Sequence, residues 1–86
     1  MLDDLRKEID LIDNEIVNLI AKRIKVVKKV GQFKKDNNIP VVDNLRFEKV
    51  LNKVGELAEK NKISKEFIQD IYNKIHEYMC SIEKDI

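Results

Sequence analysis

The chain has 86 residues, of which 38% are charged, and its formal net charge is +1. This length allows one small domain with a modest core, and the near balance of charge argues against a nucleic-acid-binding protein, which needs a strongly basic face. The single cysteine, Cys80, cannot form an internal disulfide, so we expect a cytoplasmic protein. No apolar run reaches the roughly 18 residues of a membrane span, and the acidic N-terminus lacks the features of a signal peptide.

The first predicted element is a long helix, because apolar residues recur at steps of three and four. They are Leu2, Leu5, Ile9, Ile12, Ile16, Leu19, Val26, Val30 and Phe33. Asn37, Asn38 and Pro40 end the helix. About 33 residues make a helix about 50 Å long, whereas a compact domain of this size is about 30 Å across. We therefore expect a homodimer paired through this helix; the alternative is a helix that is broken near Gly31 and folded back.

Two shorter helices are predicted to follow. Asp43 is a suitable N-cap for a second helix that extends to about Asn61. Its inward positions are Val50, Val54 and Leu57. Ser64 caps a third helix, whose apolar stripe consists of Ile68, Ile71, Ile75, Met79 and Ile82. Because no segment alternates in the manner of a strand, the sequence predicts an all-α fold with three helices per chain.

Arg23 interrupts the apolar rhythm of the first helix. The residues three and four positions away carry no acid; they are Leu19, Ile20, Val26 and Val27. An unpaired guanidinium in a buried seam costs several kcal/mol. We therefore expect its counter-charge to come from another helix or from a ligand, and the alternative is that the side chain extends to the surface or pairs with a glutamate elsewhere.

Lys34 lies eleven residues after Arg23, which returns to within about 20° of the same helix face. It too has no acidic residue three or four positions away. Two unpaired cations on one half-buried face predict the binding of a small anion with more than one acceptor group. A simpler alternative for Lys34 is a favourable contact with the dipole at the end of the helix.

Two further arginines are weaker candidates. Arg46 opens the second helix and could form a local ion pair with Asp43. Arg6 can be neutralised by Asp3 and Asp10 along the first helix. It lies about 25 Å from Arg23 along the helix axis, so the two could serve one ligand only across an antiparallel dimer.

Other chemistry is sparse. His76 has no serine or cysteine in a triad pattern, so we expect a surface or flanking position for it. Cys80 lies in no ligand cluster, which predicts no metal site, and no glycine-rich phosphate loop occurs. An enzyme built from this sequence would therefore act by holding its substrate and by electrostatics.

Three segments carry a resemblance to a known family: LDDLRKEIDLIDNEIVNLIAKR (residues 2–23), VGQFK (30–34) and PVVDNLR (40–46). Their order and spacing resemble the all-helical, type II chorismate mutases. The resemblance covers the chain and implies a single chorismate mutase domain over residues 1–86. It implies an intertwined homodimer and the Claisen rearrangement of chorismate to prephenate in aromatic amino-acid biosynthesis, with no cofactor or metal.

The resemblance also implies roles for individual residues. Arg23 and Arg6 of the partner subunit would bind the substrate carboxylates, with Arg46 assisting, because a guanidinium meets a carboxylate with two hydrogen bonds. Asp43 would lie at the substrate hydroxyl and contact it through its backbone.

Lys34 and Glu83 would face the ether oxygen, Lys34 by donating to it as negative charge develops. A carboxyl group can donate a hydrogen bond only when it is protonated. We therefore expect activity to weaken as the pH rises and Glu83 loses its proton.

Two positions depart from the family pattern. Phe47 stands where an acid commonly follows the arginine, and Glu48 cannot substitute for it because one step turns a helix by about 100°. Met79 replaces a small polar residue that supports a carboxylate, and we expect it to fill the core.

Two other functions remain open from the sequence. An isochorismate pyruvate lyase would use the same fold and similar cations. A non-catalytic helical dimerisation or regulatory module would instead have Arg23 and Lys34 neutralised by protein carboxylates.

Overall fold

The computed structural model describes all residues from 1 to 86 and contains three helices and no strand. The helices are α1 (Leu2–Asp36), α2 (Asn44–Lys60) and α3 (Lys65–Lys84). The predicted all-α fold with three helices is confirmed. Because α1 continues without a break through Gly31, the alternative of a helix folded back at that residue is wrong.

Side-chain caps fix where the two shorter helices begin. Asp43 Oδ1 accepts a hydrogen bond from the backbone N–H of Arg46 at 3.0 Å, and Ser64 Oγ accepts one from Phe67 at 3.2 Å. Both predicted N-caps are therefore confirmed. Just after α1 ends, Asn38 has a φ of 56°, a left-handed conformation that asparagine adopts more readily than most residues.

The helix α3 packs against both other helices, whereas α1 and α2 do not pack on each other. It runs alongside the C-terminal half of α1 and antiparallel to α2. It comes close to α1 at Gly31, where an added Cβ would lie 3.3 Å from the Cα of Glu83. The missing side chain at position 31 thus lets the end of α3 bring Glu83 against α1.

A single chain has almost no core, since only five of its 86 residues are buried. They are Gly31, Val54, Gly55, Ala58 and Met79. The inward placement predicted for Val54 is confirmed, but 47% of Leu57 is exposed, so that prediction is wrong for the single chain. Met79, at 4% exposure, fills the core as expected.

The N-terminal half of α1 extends beyond the rest of the fold. The molecule measures 55 × 24 × 15 Å and has a radius of gyration of 15.8 Å, compared with about 12 Å for a compact domain of this length. The apolar residues of this half are exposed, among them Leu5, Ile9, Ile12, Ile16 and Leu19. None of the three helices combines the length and apolar character that crossing a bilayer needs.

Candidate active site

A cavity of about 330 Å³ opens between α1 and α2, with α3 along one side. This volume is near the lower end of the range for small-molecule sites, about 300 to 1,000 Å³. Valines from α1 and α2 form much of its wall. Its polar lining consists of Arg23, Lys34, Asp43, Arg46, Tyr72, His76, Cys80 and Glu83.

Five of the six predicted site residues line this one cavity. They are Arg23, Lys34, Asp43, Arg46 and Glu83. Arg6 does not reach it and is exposed on the N-terminal half of α1. Within one chain, therefore, the fold brings together residues from all three helices and from the cap of α2, and leaves one arginine outside.

The arginines of the cavity lack carboxylate partners. The chain contains three ion pairs, and none of them involves an arginine. For Arg23 the alternative of a pair with a glutamate elsewhere in the chain is wrong, and a counter-charge from a ligand stays a prediction. For Arg46 the alternative of an ion pair with Asp43 is wrong, because that carboxylate accepts from the backbone of Arg46 and caps the helix.

Lys34 is paired, so the prediction that it has no acidic partner is wrong. Its Nζ lies 2.9 Å from Glu83 Oε1 and donates a hydrogen bond to the carbonyl of Val41 at 2.8 Å. Both side chains are largely buried, with 17% and 10% of Lys34 and Glu83 exposed. An ammonium group has three N–H donors, so at least one remains for a ligand in the cavity.

Glu83 also keeps unused hydrogen-bonding capacity. Its Oε1 is buried and, although close to the ammonium of Lys34, lies outside hydrogen-bonding direction and has no other donor. Buried polar atoms in folded proteins nearly always have a partner. The carboxyl group is therefore available to interact with whatever occupies the cavity.

His76 is the main residue to which the sequence analysis gave no role: it was expected at a surface or flanking position, and it lines the cavity. Its ring stacks on Phe47, with ring centroids 3.7 Å apart and planes 8° from parallel. A signal was present, because His76 precedes Glu83 by seven residues and so lies on the same face of its helix.

The arrangement can bind and polarise a small anion. Guanidinium groups form paired hydrogen bonds with carboxylates. Fixed donors in a partly enclosed site stabilise negative charge that develops during a reaction, with little rearrangement. The cavity thus combines recognition of acidic groups by Arg23 and Arg46 with a preformed ammonium–carboxyl pair.

Comparison with known proteins identifies the family to which these features correspond. The family model described as "Chorismate mutase type II" matches residues 5–84. A bifunctional chorismate mutase/prephenate dehydratase from Aquifex aeolicus is 34% identical over 99% of this chain and 24% of its own length. A chorismate mutase from Methanocaldococcus jannaschii is 29% identical over 96% of this chain and 84% of its own length.

A third relative, a 4-amino-4-deoxychorismate mutase from Streptomyces venezuelae, is 23% identical over 95% of this chain and 80% of its own length. The relatives therefore differ in size. The chain spans about a quarter of the bifunctional relative from Aquifex aeolicus but corresponds in length to the other two.

Proposed function

The chain belongs to the type II chorismate mutase family, and from this premise we propose that it catalyses the rearrangement of chorismate to prephenate as a homodimer. In this reaction the ether C–O bond of chorismate breaks while a new C–C bond forms within the same molecule. No nucleophile, metal or cofactor takes part. The proposal includes one catalytic domain over residues 1–86 and a cytoplasmic location, which the free thiol of Cys80 supports.

The observation that carries the proposal is the pair of arginines in the cavity without carboxylate partners, Arg23 and Arg46. Chorismate has two carboxylates, and each can accept two hydrogen bonds from one guanidinium. A non-catalytic regulatory module would have no need of unpaired arginines in a cavity. The pairing of Lys34 with Glu83 is what such a module predicts, but it leaves Arg23 without a counter-charge.

Lys34 and Glu83 would act on the ether oxygen. The third N–H of Lys34 donates to this oxygen as it gains negative charge in the transition state. The carboxyl group of Glu83 would face the same oxygen and, in its protonated form, donate a second hydrogen bond to it. Even a millionfold acceleration requires about 8 kcal/mol of barrier lowering, which holding and electrostatic stabilisation together can supply.

Asp43 would contact the substrate through its backbone. One oxygen of its carboxylate is already engaged as the cap of α2. The side chain therefore serves to fix the position of the loop, and of Arg46 three residues later, relative to the cavity.

The unpaired guanidinium of Arg6 supports a contribution from a second copy. Arg6 is exposed on the N-terminal half of α1, and none of the three ion pairs of the chain involves it. Antiparallel pairing of two α1 helices would bridge the distance of about 25 Å that separates Arg6 from Arg23 in one chain.

The exposed surface supports the same dimer. The chain exposes 7253 Å², whereas a compact monomer of 10.1 kDa exposes about 5,300 Å². The excess of about 2,000 Å² lies within the roughly 1,000 to 2,500 Å² that each partner buries in many obligate homodimers. The bare apolar face on the N-terminal half of α1 is the surface that a second copy would cover.

The decisive experiment follows the loss of chorismate and the appearance of prephenate with the native chain and with Arg23→Ala. We expect kcat/KM to fall about 100- to 1,000-fold in the variant, because a charged donor is lost from a sheltered site. Lys25→Ala, which removes an exposed cation of the same helix outside the cavity, is the matched control and should retain activity. Salicylate formation from isochorismate without prephenate formation from chorismate would identify the lyase instead.

A further inference from the structure

His76 occupies an unusual position for the only histidine of the chain. Its imidazole lies face to face with the phenyl ring of Phe47, and the stack joins α3 to α2 at the wall of the cavity. Neither residue has a role in the proposed binding of carboxylates or ether oxygen. The two rings are half-buried, so the imidazole is partly withdrawn from bulk water.

The ring nitrogens of His76 have no oxygen or backbone partner within the chain. Only Cys80 approaches them, with its Sγ 3.6 Å from Nε2 and 3.8 Å from Nδ1. Because the sulfur is almost equidistant from both nitrogens, it is not directed at either one, and a thiol is in any case a weak partner. A half-buried polar ring without a strong partner obtains one from water or from the contents of the cavity.

The charged groups of the cavity already have counterparts on chorismate, and this rests on the function proposed above. Arg23 and Arg46 correspond to the two carboxylates, and the Lys34–Glu83 pair corresponds to the ether oxygen. Chorismate has one further polar group, the hydroxyl on its ring, to which only a backbone contact at Asp43 has been assigned above. A hydroxyl has one donor and two acceptor lone pairs, so it can bind a second partner as well. A hydroxyl donates and accepts, and so does a neutral imidazole through its two nitrogens.

Tyr72 is the other polar residue of the lining that needs consideration. It precedes His76 by one helical turn, which places it about 6 Å farther from Glu83 along α3. It therefore lies toward the end of the cavity away from the ion pair. His76 stands between that end and Glu83, opposite the start of α2.

We propose that His76 is a substrate-binding residue that hydrogen-bonds the ring hydroxyl of chorismate, and that Phe47 is a positioning residue that holds the imidazole plane. The stack leaves the ring little freedom to rotate, so its nitrogens keep a fixed direction relative to the cavity. Phe47 stands where the family pattern has an acid, and its proposed function is to orient His76.

The test compares His76→Phe, which keeps a flat ring on Phe47 but removes both nitrogens, with His76→Gln, which keeps a donor and an acceptor. We expect His76→Phe to raise the KM for chorismate about 5- to 20-fold while kcat changes less than about threefold. His76→Gln should recover most of the affinity. An unchanged KM in His76→Phe, or a larger effect of Tyr72→Phe, would overturn the assignment.

A second measurement observes the imidazole directly, because the chain contains one histidine and its NMR signals need no separate assignment. Prephenate retains the ring hydroxyl, and saturating prephenate should shift the imidazole nitrogen signals of the native protein. In Phe47→Leu we expect prephenate to shift the imidazole signals less than in the native protein, and the KM for chorismate to be higher. The unfolding temperature of this variant is measured in parallel to show that it is folded. Signals that do not move with bound prephenate contradict the proposal.

These outcomes separate the two proposals. If the native chain converts chorismate but His76→Phe has a native KM, only the role of His76 is wrong. If the native chain converts no chorismate, the proposed function is wrong and the role of His76 with it.

Discussion

Residues 2–19 and residues 20–36 belong to one continuous helix, yet only the second half lies against α3 and lines the cavity. Both halves carry apolar residues at the same helical spacing. In the first half Ile9, Ile12 and Ile16 stay exposed, whereas in the second half Gly31 is buried and Lys34 is largely so. The comparison shows that helical periodicity identifies the apolar face of a helix that must be buried. It does not show whether another helix of the same chain or a second copy buries that face.

The largest expected effect comes from placing negative charges on the exposed apolar face of residues 2–19. In Ile9→Glu/Ile16→Glu two carboxylates would face the second copy, and an unpaired charge in an interface costs several kcal/mol. We expect a molecular mass half that of the native protein in light scattering, and a loss of activity of about 1,000-fold or more. Asn18→Glu, a charge at a polar exposed position of the same half, is the control. A native mass with full activity would contradict the role assigned to this half.

The next effect tests whether the two halves meet in one site. Arg6→Ala and Arg23→Ala should each lower kcat/KM about 100-fold or more. Mixed after subunit exchange, they should regain about a quarter of native activity, because half of the dimers are mixed and each of these has one intact site. Mass spectrometry would verify the exchange. Verified mixed dimers without activity would mean that each site lies within one chain.

A smaller effect concerns the ion pair between Lys34 and Glu83. Glu83→Gln replaces a carboxylate, which only accepts hydrogen bonds, with an amide whose N–H can donate to the ether oxygen, so we expect kcat/KM to be kept or raised by up to about tenfold. Glu83→Leu removes both the donor and the partner of Lys34 and should lower kcat/KM about tenfold or more. Glu56→Gln, which changes an exposed acid outside the cavity, should leave kcat/KM native. A fully active Glu83→Leu would refute the role of Glu83.

The smallest effect concerns the close contact between Gly31 of the second half and Glu83 of α3. In Gly31→Ala the new methyl group would lie 3.2 Å from the Cγ of Glu83 and still closer to the end of Ile86. Overpacking of this kind costs about 1–3 kcal/mol of unfolding free energy. We expect kcat to fall about three- to tenfold as Glu83 moves relative to Lys34, measured beside thermal unfolding.

Gly55→Ala is the matched control for that variant. Its added methyl group would meet the flexible ends of Gln69 and Lys65 at 2.9–3.1 Å, away from the cavity. Because those flexible ends can move aside, it should leave kcat unchanged. Equal kcat in the two glycine variants would show that the close approach at Gly31 does not position Glu83.

Much of the fold was predictable because it depends on interactions between residues close in sequence. The caps at Asp43 and Ser64 lie three residues from the N–H groups that they bind, and the turn after α1 depends on adjacent asparagines. The unpaired cation Arg23 was also predictable, since the absence of acidic residues three and four positions away could be read from the same helix. For Arg46 the acid at Asp43 pointed to a local ion pair, and only the family resemblance implied a place in the site.

The sequence by itself determined three helices, their ends and a first helix too long for its own domain, since each of these follows from local hydrogen bonding and spacing. Only the tertiary structure decided that Glu83 pairs with Lys34 and that His76 stacks on Phe47. These partners lie 49 and 29 residues apart, and their contact depends on how closely and at what height two helices pack. The missing side chain of Gly31 permits the close approach of Glu83 to α1, a consequence visible only once α3 is in place.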